Sequence, residues 1–131
     1  MLVVETYLAP SRLHGFGVFT RHAIPKGAVV SRYMPPFDVI FPAGLLASLS
    51  DAEQRYLKHH TYRSLFSQAY VLPGDHDRFM NHSDTPNVGM HPAGTTENIA
   101  LVDVAAGEEL TCDYRTFDLE WQEKLPHLCE S

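Results

Sequence analysis

The sequence has little of what several classes of protein require. Its 131 residues include only two cysteines, Cys112 and Cys129, and these form no CxxC pair. The cysteine content supports neither a disulfide framework nor a cysteine zinc cluster. No stretch approaches the roughly 18 apolar residues of a membrane span, and the first residues lack the basic and apolar regions of a signal peptide. We therefore expect a soluble, non-secreted protein with no membrane partner, located in a reducing cytoplasm, or in the nucleus if the source is eukaryotic.

Positive charge is also scarce. Ten Lys and Arg residues stand against 16 Asp and Glu residues, which gives a formal net charge of -6 at pH 7. Because binding to phosphates needs an excess of basic side chains, this balance argues against direct nucleic-acid binding. An acidic surface would instead suit a basic peptide partner, although many soluble proteins carry such charge simply for solubility.

What the sequence does contain is a series of short β-rich runs separated by Gly, Pro and Asp. They predict a mostly β fold, and the length and composition fit one domain over residues 1–131. Residues 24–27 and 105–107 are typical of tight turns that enter strands, and residues 91–94 of a hairpin connection. The predicted strands are residues 2–7, 16–20, 28–33, 68–72, 87–90, 98–104 and 109–112.

A helical insert interrupts this β pattern at about residues 45–62. Ser50 and Glu53 form a capping-box sequence, in which each side chain satisfies a backbone N–H group of the other residue. This signal predicts a helix over residues 52–60.

The C-terminal flank, residues 115–131, contains a second predicted helix. Asp118 is its expected N-cap and Trp121 lies within it. Pro126 stops it, because proline cannot donate a backbone hydrogen bond and clashes with the preceding turn. Both helices are predicted to be additions to a β framework.

The first of three segments that suggest chemistry is residues 14–19, with the sequence HGFGVF. Gly15 and Gly17 flank Phe16 at the entrance to a predicted strand. Glycine permits positive φ or the close approach of a ligand to the backbone. Taken alone, such a GxG sequence is more often a simple turn.

The other two segments lie further along the chain. Residues 78–87, RFMNHSDTPN, crowd polar side chains between two apolar runs, and residues 107–114, GEELTCDY, form a turn and a strand that end in Tyr114. Each has an ordinary structural interpretation: the first as a polar loop, and the tyrosine as a packed aromatic with a solvated hydroxyl.

In this order and at these separations, the three segments resemble the SET domain, a family of protein-lysine methyltransferases that use S-adenosylmethionine. The resemblance covers nearly the whole chain and includes the turn at residues 24–27. It implies several small β-sheets with a threaded C-terminal segment, which places residues 81–82 beside residue 114. It also implies S-adenosylmethionine as cofactor.

The resemblance assigns roles to individual residues. Tyr114 matches the catalytic tyrosine of the family. The backbone of Gly15, Phe16 and Gly17 is expected to cradle the cofactor. The rest of the predicted cofactor pocket consists of Arg78, Phe79, Asn81 and His82.

The lysine channel is less well defined by the sequence. Relatives often carry an aromatic residue at the position of Cys112, which influences how many methyl groups fit, and the smaller side chain here leaves room for more than one. Many relatives complete the channel with a cysteine-rich zinc module that has no counterpart here, so residues 115–125 are expected to cover it. Further candidate channel residues, each equally compatible with core packing, are Tyr70, Phe66, Phe117 and Trp121.

The eight histidines match no metal-binding spacing, and no metal site is predicted. The expected partner is a protein or peptide with an exposed lysine, such as a histone tail or another basic protein, and homodimerisation would add surface for choosing it. Two alternatives stay open: a catalytically weak or inactive SET-fold module that binds a peptide or S-adenosylmethionine, and an enzyme that methylates a small amine.

Overall fold

The computed structural model describes residues 1–93 and 96–129 and contains three small β-sheets. Strands hold 31% of the residues and helices 24%, which confirms the predicted fold of small β-sheets with few helices. The strands are β1 Thr6–Pro10, β2 Phe16–Thr20, β3 Val29–Arg32, β4 Val39–Phe41, β5 Tyr62–Arg63, β6 Tyr70–Leu72, β7 Asn81–His82, β8 Val88–Met90, β9 Glu97–Ala100 and β10 Glu109–Cys112. The α-helices are α1 Asp51–His60 and α2 Trp121–Lys124, and 3₁₀ turns span Ala43–Ser48, His76–Phe79, Tyr114–Thr116 and Pro126–Leu128.

The first sheet brings together segments that are far apart in sequence. Its strand order is β1-β2-β10-β7, with β10 antiparallel to β2 and parallel to β7. Thr111 lies opposite Asn81, and Cys112 lies opposite His82. The C-terminal strand therefore lies between the strand after the GxG segment and the NHS segment, as the resemblance predicts.

The main hydrophobic core lies against this sheet and the second one, whose order is β3-β9-β8. Leu110 on β10 and Val18 on β2 are completely buried. Burial of such a side chain contributes about 1.5–3 kcal/mol, so the core holds β2 and β10 firmly side by side. The core cluster consists of Val18, Ile24, Val30, Met80, Val88, Ala100, Val104 and Leu110.

The two predicted tight turns are confirmed. The backbone N–H of Ala28 donates to the carbonyl of Pro25 at 3.1 Å, and that of Glu108 donates to the carbonyl of Ala105 at 3.1 Å. The predicted hairpin connection at residues 91–94 joins antiparallel strands β8 and β9, but it includes residue 94, which lies outside the described residues.

The helical insert is also confirmed, with its predicted cap. The hydroxyl of Ser50 accepts from the backbone N–H of Glu53 at 3.2 Å, and the Glu53 carboxylate accepts from the backbone N–H of Ser50 at 3.3 Å. Helix α1 then runs over Asp51–His60, one residue longer than predicted, and none of its residues is buried. The third sheet, β4-β6-β5, is formed on both sides of the insert in sequence, because β4 precedes α1 and β5 and β6 follow it.

Several predicted strand limits are wrong. The predicted strand over residues 68–72 begins only at Tyr70, because Gln68 has a φ of +61°, outside the extended region. The strand predicted at residues 2–7 lies at Thr6–Pro10, and the one predicted at residues 98–104 ends at Ala100. Three strands of two or three residues, too short to show periodicity, were not predicted; they are β4, β5 and β7.

The prediction for the C-terminal helix is wrong in its start. Helix α2 covers only Trp121–Lys124, and its N-cap is Glu120, whose side chain makes no capping hydrogen bond. Asp118 lies two residues before this N-cap: its carboxylate accepts from the backbone N–H of Glu120 at 2.9 Å and also contacts Lys124 and the backbone of Arg63 in β5. In the part of the chain that the structure describes, no helix has both the length and the apolar character of a membrane span.

Candidate active site

Tyr114 lies directly after β10 and is held from both ends. Its hydroxyl donates to the backbone carbonyl of Met80 at 2.6 Å, and its backbone N–H donates to Nδ1 of His82 at 3.1 Å. The rings of His82 and Tyr114 are in edge contact, with centroids 5.4 Å apart. The parallel pairing of β7 with β10 thus places the NHS segment and the tyrosine side by side.

The hydrogen bond from Tyr114 decides which nitrogen of His82 carries a proton. Since Nδ1 accepts, a neutral ring must carry its hydrogen on Nε2, and this nitrogen lies 2.9 Å from Oδ1 of Asp84. The Arg115 guanidinium lies between the carboxylates of Asp84 and Asp113, at 3.3 and 2.9 Å. Its hydrogen bonds lower the pKa of Asp113. A charged network thus holds the imidazole in the orientation that Tyr114 requires.

The environment of Tyr114 keeps its phenol neutral. Burial raises the pKa of Tyr114 far above its ordinary value, and the nearby acidic groups, Cys112 and Asp118 first among them, raise it further. Because its hydrogen is engaged by Met80, the hydroxyl can offer only its lone pairs to another group. The phenol is therefore arranged as an acceptor and not as a base.

Asn81 ties the NHS segment to the GxG turn. Its side-chain nitrogen lies 2.9 Å from the carbonyl of His14, 3.0 Å from that of Phe16 and 3.0 Å from Oε2 of Glu109. All three partners are oxygens, so the two N–H hydrogens point toward them and the amide oxygen points away. Asn81 is buried. The turn and strand β7 therefore form one unit.

The two glycines of the turn serve different purposes. Gly15 has a φ of +47°, and a Cβ added there would meet no atom within 4 Å. That face of the turn is open to an approaching ligand. Gly17 is needed for a different reason, because a Cβ there would lie 2.4 Å from Oε2 of Glu109. The same carboxylate accepts from the hydroxyl of Ser11 at 2.7 Å. Between the glycines, the Phe16 side chain is 60% exposed.

Arg78 and Phe79 are directed toward the insert. The Arg78 guanidinium donates to the carbonyl of Pro73 at 3.1 Å and to the hydroxyl of Tyr56 on α1 at 3.3 Å. The Phe79 ring lies 5.4 Å from that of His60, at the end of α1. The structure thus brings Asn81 to the GxG turn by direct contact and His82 to Tyr114, while these two side chains link the NHS segment to α1.

The Phe117 ring contacts Tyr114 and links it to Tyr62, and the Cys112 thiol lies near the phenol. The Phe117 ring lies 5.9 Å from Tyr114 and 5.1 Å from Tyr62, both in edge contact. Burial raises the pKa of Tyr62 to about 12 and that of the Cys112 thiol well above its ordinary value, so both stay neutral at pH 7. Phe117 and Cys112 were predicted channel residues, and Tyr62 was not. Its two-residue strand offered no periodic signal in the sequence.

The other predicted channel residues lie elsewhere. Tyr70 is buried against Phe41 in the third sheet, with ring centroids 5.6 Å apart, and its hydroxyl donates to the Glu120 carboxylate. Phe66 is 80% exposed. Trp121 is half-buried at the start of α2. The contacts of Tyr70 thus connect the third sheet with the C-terminal flank.

Two further site residues were missed by sequence reasoning. The Glu109 carboxylate accepts hydrogen bonds from Ser11 and Asn81 and occupies the space left by the missing side chain of Gly17. In the sequence, Glu109 is simply an acidic residue at the start of a predicted strand. The side chain of Asn87 donates to the carbonyl of Glu109 and accepts from the N–H of Thr111, both at 2.8 Å, and so acts as a strand partner for β10. The Pro86-Asn87 step was the only feature of the sequence that indicated a role for Asn87.

Among the described residues, no three His, Cys, Asp or Glu side chains converge as a metal ion would require.

The chain is similar to several known proteins. The family model of the SET domain matches residues 15–115. Histone-lysine N-methyltransferase SETMAR from Rattus norvegicus is 30% identical over 76% of the chain, which spans 36% of that protein. A proposed histone-lysine N-methyltransferase 1 from Plasmodium falciparum is 27% identical over 98% of the chain, which spans 2% of that protein. The chain thus spans about a third of the first relative and a small fraction of the second.

A solved structure gives the same fold. The crystal structure of a proposed histone methyltransferase from Plasmodium falciparum matches with a TM-score of 0.57 and 20% identity, covering 85% of this chain and 93% of that one. At this identity the likeness concerns the fold alone. Together with the family match, which includes the GxG, NHS and tyrosine segments, it leads to one conclusion: the chain belongs to the SET-domain family.

Proposed function

We propose that this chain is an S-adenosylmethionine-dependent protein-lysine N-methyltransferase. The observation that carries the proposal is the arrangement of Tyr114, a buried neutral phenol whose hydrogen is engaged by Met80 and whose lone pairs remain available. It lies beside strand β7, whose Asn81 holds the GxG turn. The names of the relatives support a lysine as the acceptor.

The turn and strand β7 fit the proposed cofactor. The open face at Gly15 and the exposed ring of Phe16 offer backbone and aromatic surface to a ligand. The amide oxygen of Asn81 can accept a hydrogen bond from a donor group of the ligand, because the contacts to the GxG turn use only the amide nitrogen. When bound, S-adenosylmethionine would supply an electrophilic methyl group, whose bond to sulfur breaks as the lysine nitrogen bonds to its carbon. The backbone at residues 15–17 and the segment of Asn81 and His82 would hold it.

The main chemical obstacle is the charge of the lysine amine. With an ordinary pKa of about 10.4, neutralising it at pH 7 costs about 4.6 kcal/mol, from about 1.36 kcal/mol per pKa unit. Burial between Tyr62, Phe117 and Cys112 removes water from the amine, which disfavours its charged form. Because these walls are neutral at pH 7, they offer no negative charge that would restore the higher pKa.

Tyr114 then orients the amine. Its lone pairs accept an N–H of the neutral amine, which directs the nitrogen lone pair away from the phenol and toward the methyl donor. Such alignment lowers the barrier by holding the reacting atoms in line. The phenol cannot take up the proton that the lysine ammonium loses before transfer, because a neutral phenol is a very weak acceptor of a second proton. That proton leaves to solvent, and the methylated amine carries the positive charge that was on sulfur.

A basic protein is the substrate class that suits this chain. The net charge of -6 attracts positively charged tails, and the relatives carry histone-lysine names. Core histones are therefore the first substrates to test.

The test compares Tyr114→Phe with the natural chain. Loss of the hydroxyl removes the acceptor for the amine but leaves the ring packed, so we expect turnover to fall about 10²-fold or more. Transfer of labelled methyl groups from S-adenosylmethionine to core histones measures turnover, and calorimetry measures cofactor affinity, which we expect to stay within about twofold of that of the natural chain. Tyr7→Phe, on strand β1, is the matched control and should retain full activity.

The outcomes separate the competing functions. Full turnover by Tyr114→Phe would remove this residue from the mechanism. If the natural chain bound S-adenosylmethionine but transferred no methyl group to histones or other basic proteins, the binding-module alternative would replace the enzyme. Transfer to free small amines in preference to proteins would replace the lysine substrate.

A further inference from the structure

The C-terminal flank contains a buried ion pair that the proposed transfer does not use. Oδ2 of Asp118 and Nζ of Lys124 are 2.6 Å apart, and their side chains are 1% and 21% exposed. Withdrawing two charges from water is costly unless their other hydrogen-bonding positions are also matched. The surroundings of the pair therefore indicate what it holds in place.

Backbone groups of the insert, of strand β5 and of the flank itself complete the hydrogen bonding of both charges. Oδ1 of Asp118 accepts from the N–H of Arg63 at 3.1 Å and from that of Glu120 at 2.9 Å. Nζ of Lys124 donates to the carbonyl of Thr61 at 2.5 Å. Thr61 and Arg63 lie at the exit of α1 and in β5, so the pair fastens the flank to the end of the insert. We call Asp118, Lys124 and these two backbone groups the latch.

The latch lies next to the aromatic wall of Tyr114. The backbone N–H of Asp118 donates to the carbonyl of Tyr114 at 2.9 Å, and the carbonyl of Phe117 accepts from Leu65 at 3.1 Å. Phe117 carries the second of these hydrogen bonds and directly precedes Asp118, which carries the first, and its ring contacts both Tyr114 and Tyr62. Fixing Asp118 therefore fixes the position of the Phe117 ring.

A second ion pair joins the same two parts of the molecule and differs in burial. Lys58 on α1 and Glu123 on α2 are 3.3 Å apart, with side chains 41% and 61% exposed. Exposed pairs contribute little because water and salt screen them. Lys58 and Glu123 provide a matched control for the latch.

We propose that Asp118 and Lys124 are positioning residues for methyl transfer: their ion pair clamps the flank onto the insert and holds Phe117 as a wall of the lysine channel. The inference rests on the proposed function, since the channel matters only if a lysine enters it. In this proposal the buried ion pair closes the channel. Among the described residues, no cluster of metal ligands is present that could do so instead.

The first measurement needs no turnover. Trp121, the sole tryptophan, lies at the start of α2, one turn before Lys124, so its fluorescence reports whether the flank is docked. In Lys124→Met, which keeps the volume but loses the charge, we expect acrylamide to quench Trp121 about twofold more efficiently, because local opening exposes the helix. Asp118→Asn, which keeps the Oδ1 acceptor, should show a smaller increase. Lys58→Met should match the natural chain.

The second measurement uses core histones as the probe and steady-state kinetics. Misplacing the channel wall should raise KM for histones about tenfold in Lys124→Met, whereas cofactor affinity by calorimetry should change less than about twofold. If the ion pair only stabilised the fold, Lys124→Met would lower the thermal midpoint of unfolding, but it would not change KM for histones more than the cofactor affinity. The double variant, which combines Asp118→Asn with Lys124→Met, should raise KM for histones no more than the more damaging single variant does, because the two charges act as one pair.

The outcomes distinguish the two proposals. If the natural chain is inactive on all proteins, the proposed function fails and the kinetic role of the latch fails with it, while quenching still reports the docking of the flank. If the natural chain is active and a folded Lys124→Met has an unchanged KM for histones, the latch proposal is overturned. The proposal would also be overturned if the effects of the two single substitutions on KM for histones added up in the double variant. Should Lys124→Met not fold, the same criteria apply to Asp118→Asn.

Discussion

The two sides of the candidate site are built in different ways. The threaded strands β2, β7 and β10 are joined by backbone pairing and by completely buried side chains such as Val18 and Leu110. The cover, made of the insert and the C-terminal flank, contains α1, which buries no residue, and it is fastened by the ion pair of Asp118 and Lys124. Apolar burial holds the side assigned to the cofactor, and specific polar contacts hold the side assigned to lysine.

This difference has a consequence for stability and dynamics. Apolar burial resists opening over the whole strand, whereas a polar latch with little buried apolar area opens locally at lower free energy. A rigid platform beside a cover of lower stability would suit the proposed function, in which the site admits a long side chain from another protein. The following changes test that comparison.

The largest effect is expected in the threaded strands. Leu110→Ala removes a completely buried side chain between β2 and β7, and we expect the free energy of unfolding to fall by about 2–5 kcal/mol. Leu57→Ala, on the half-buried face of α1, should cost about 1 kcal/mol or less. Urea denaturation followed by circular dichroism measures both. Equal losses would mean that the cover is as tightly packed as the strands.

A smaller effect is expected at the GxG turn. In Gly17→Ala the new Cβ displaces the Glu109 carboxylate, which breaks its hydrogen bonds with Ser11 and Asn81. We expect the affinity for S-adenosylmethionine, measured by calorimetry, to fall about tenfold, or about 1.4 kcal/mol.

Gly44→Ala is the matched control for this change, because a Cβ at Gly44 meets no atom within 4 Å. It should bind the cofactor like the natural chain. An unaltered affinity in Gly17→Ala would show that the Glu109 contacts do not support the cofactor platform.

The smallest effect is expected in the cover itself. Ser50→Ala removes the capping box of α1 and should destabilise the helix by about 1 kcal/mol. Since α1 buries no residue, hydrogen exchange should speed up about fivefold within Asp51–His60 and stay unchanged in β2 and β10. Ser50→Asp, an equally good cap, should restore protection. Faster exchange in the core strands would mean that the helix and the strands unfold together.

Local signals in the sequence predicted the features that depend on neighbouring residues. The capping box at Ser50 and Glu53 predicts α1, and the GxG, NHS and tyrosine segments match the family in order. Residues 107–114 indicate the tyrosine without any knowledge of its partners, because this motif is contiguous. Short-range chemistry of this kind can be predicted without the fold.

The features that the sequence did not predict depend on residues far apart in the chain. Asp118 has the composition and spacing of a helix cap, yet its carboxylate contacts Lys124 and Arg63, and the helix starts later. Tyr62 and strand β7 belong to segments too short for a periodic signal. Gly17 looks like a turn residue, but its lack of a side chain makes room for Glu109, 92 positions away.

By itself, the sequence determined that this chain is a SET-domain protein with a GxG turn, an NHS segment and the tyrosine at position 114, because those signals are carried by contiguous residues. Only the tertiary structure decided that the Tyr114 phenol is an acceptor, since its hydrogen is engaged by Met80, 34 positions away. It likewise decided that the ion pair of Asp118 and Lys124 joins the C-terminal flank to the end of the insert. Both depend on which distant groups share a water-poor environment, and burial and partners arise only when the chain is folded.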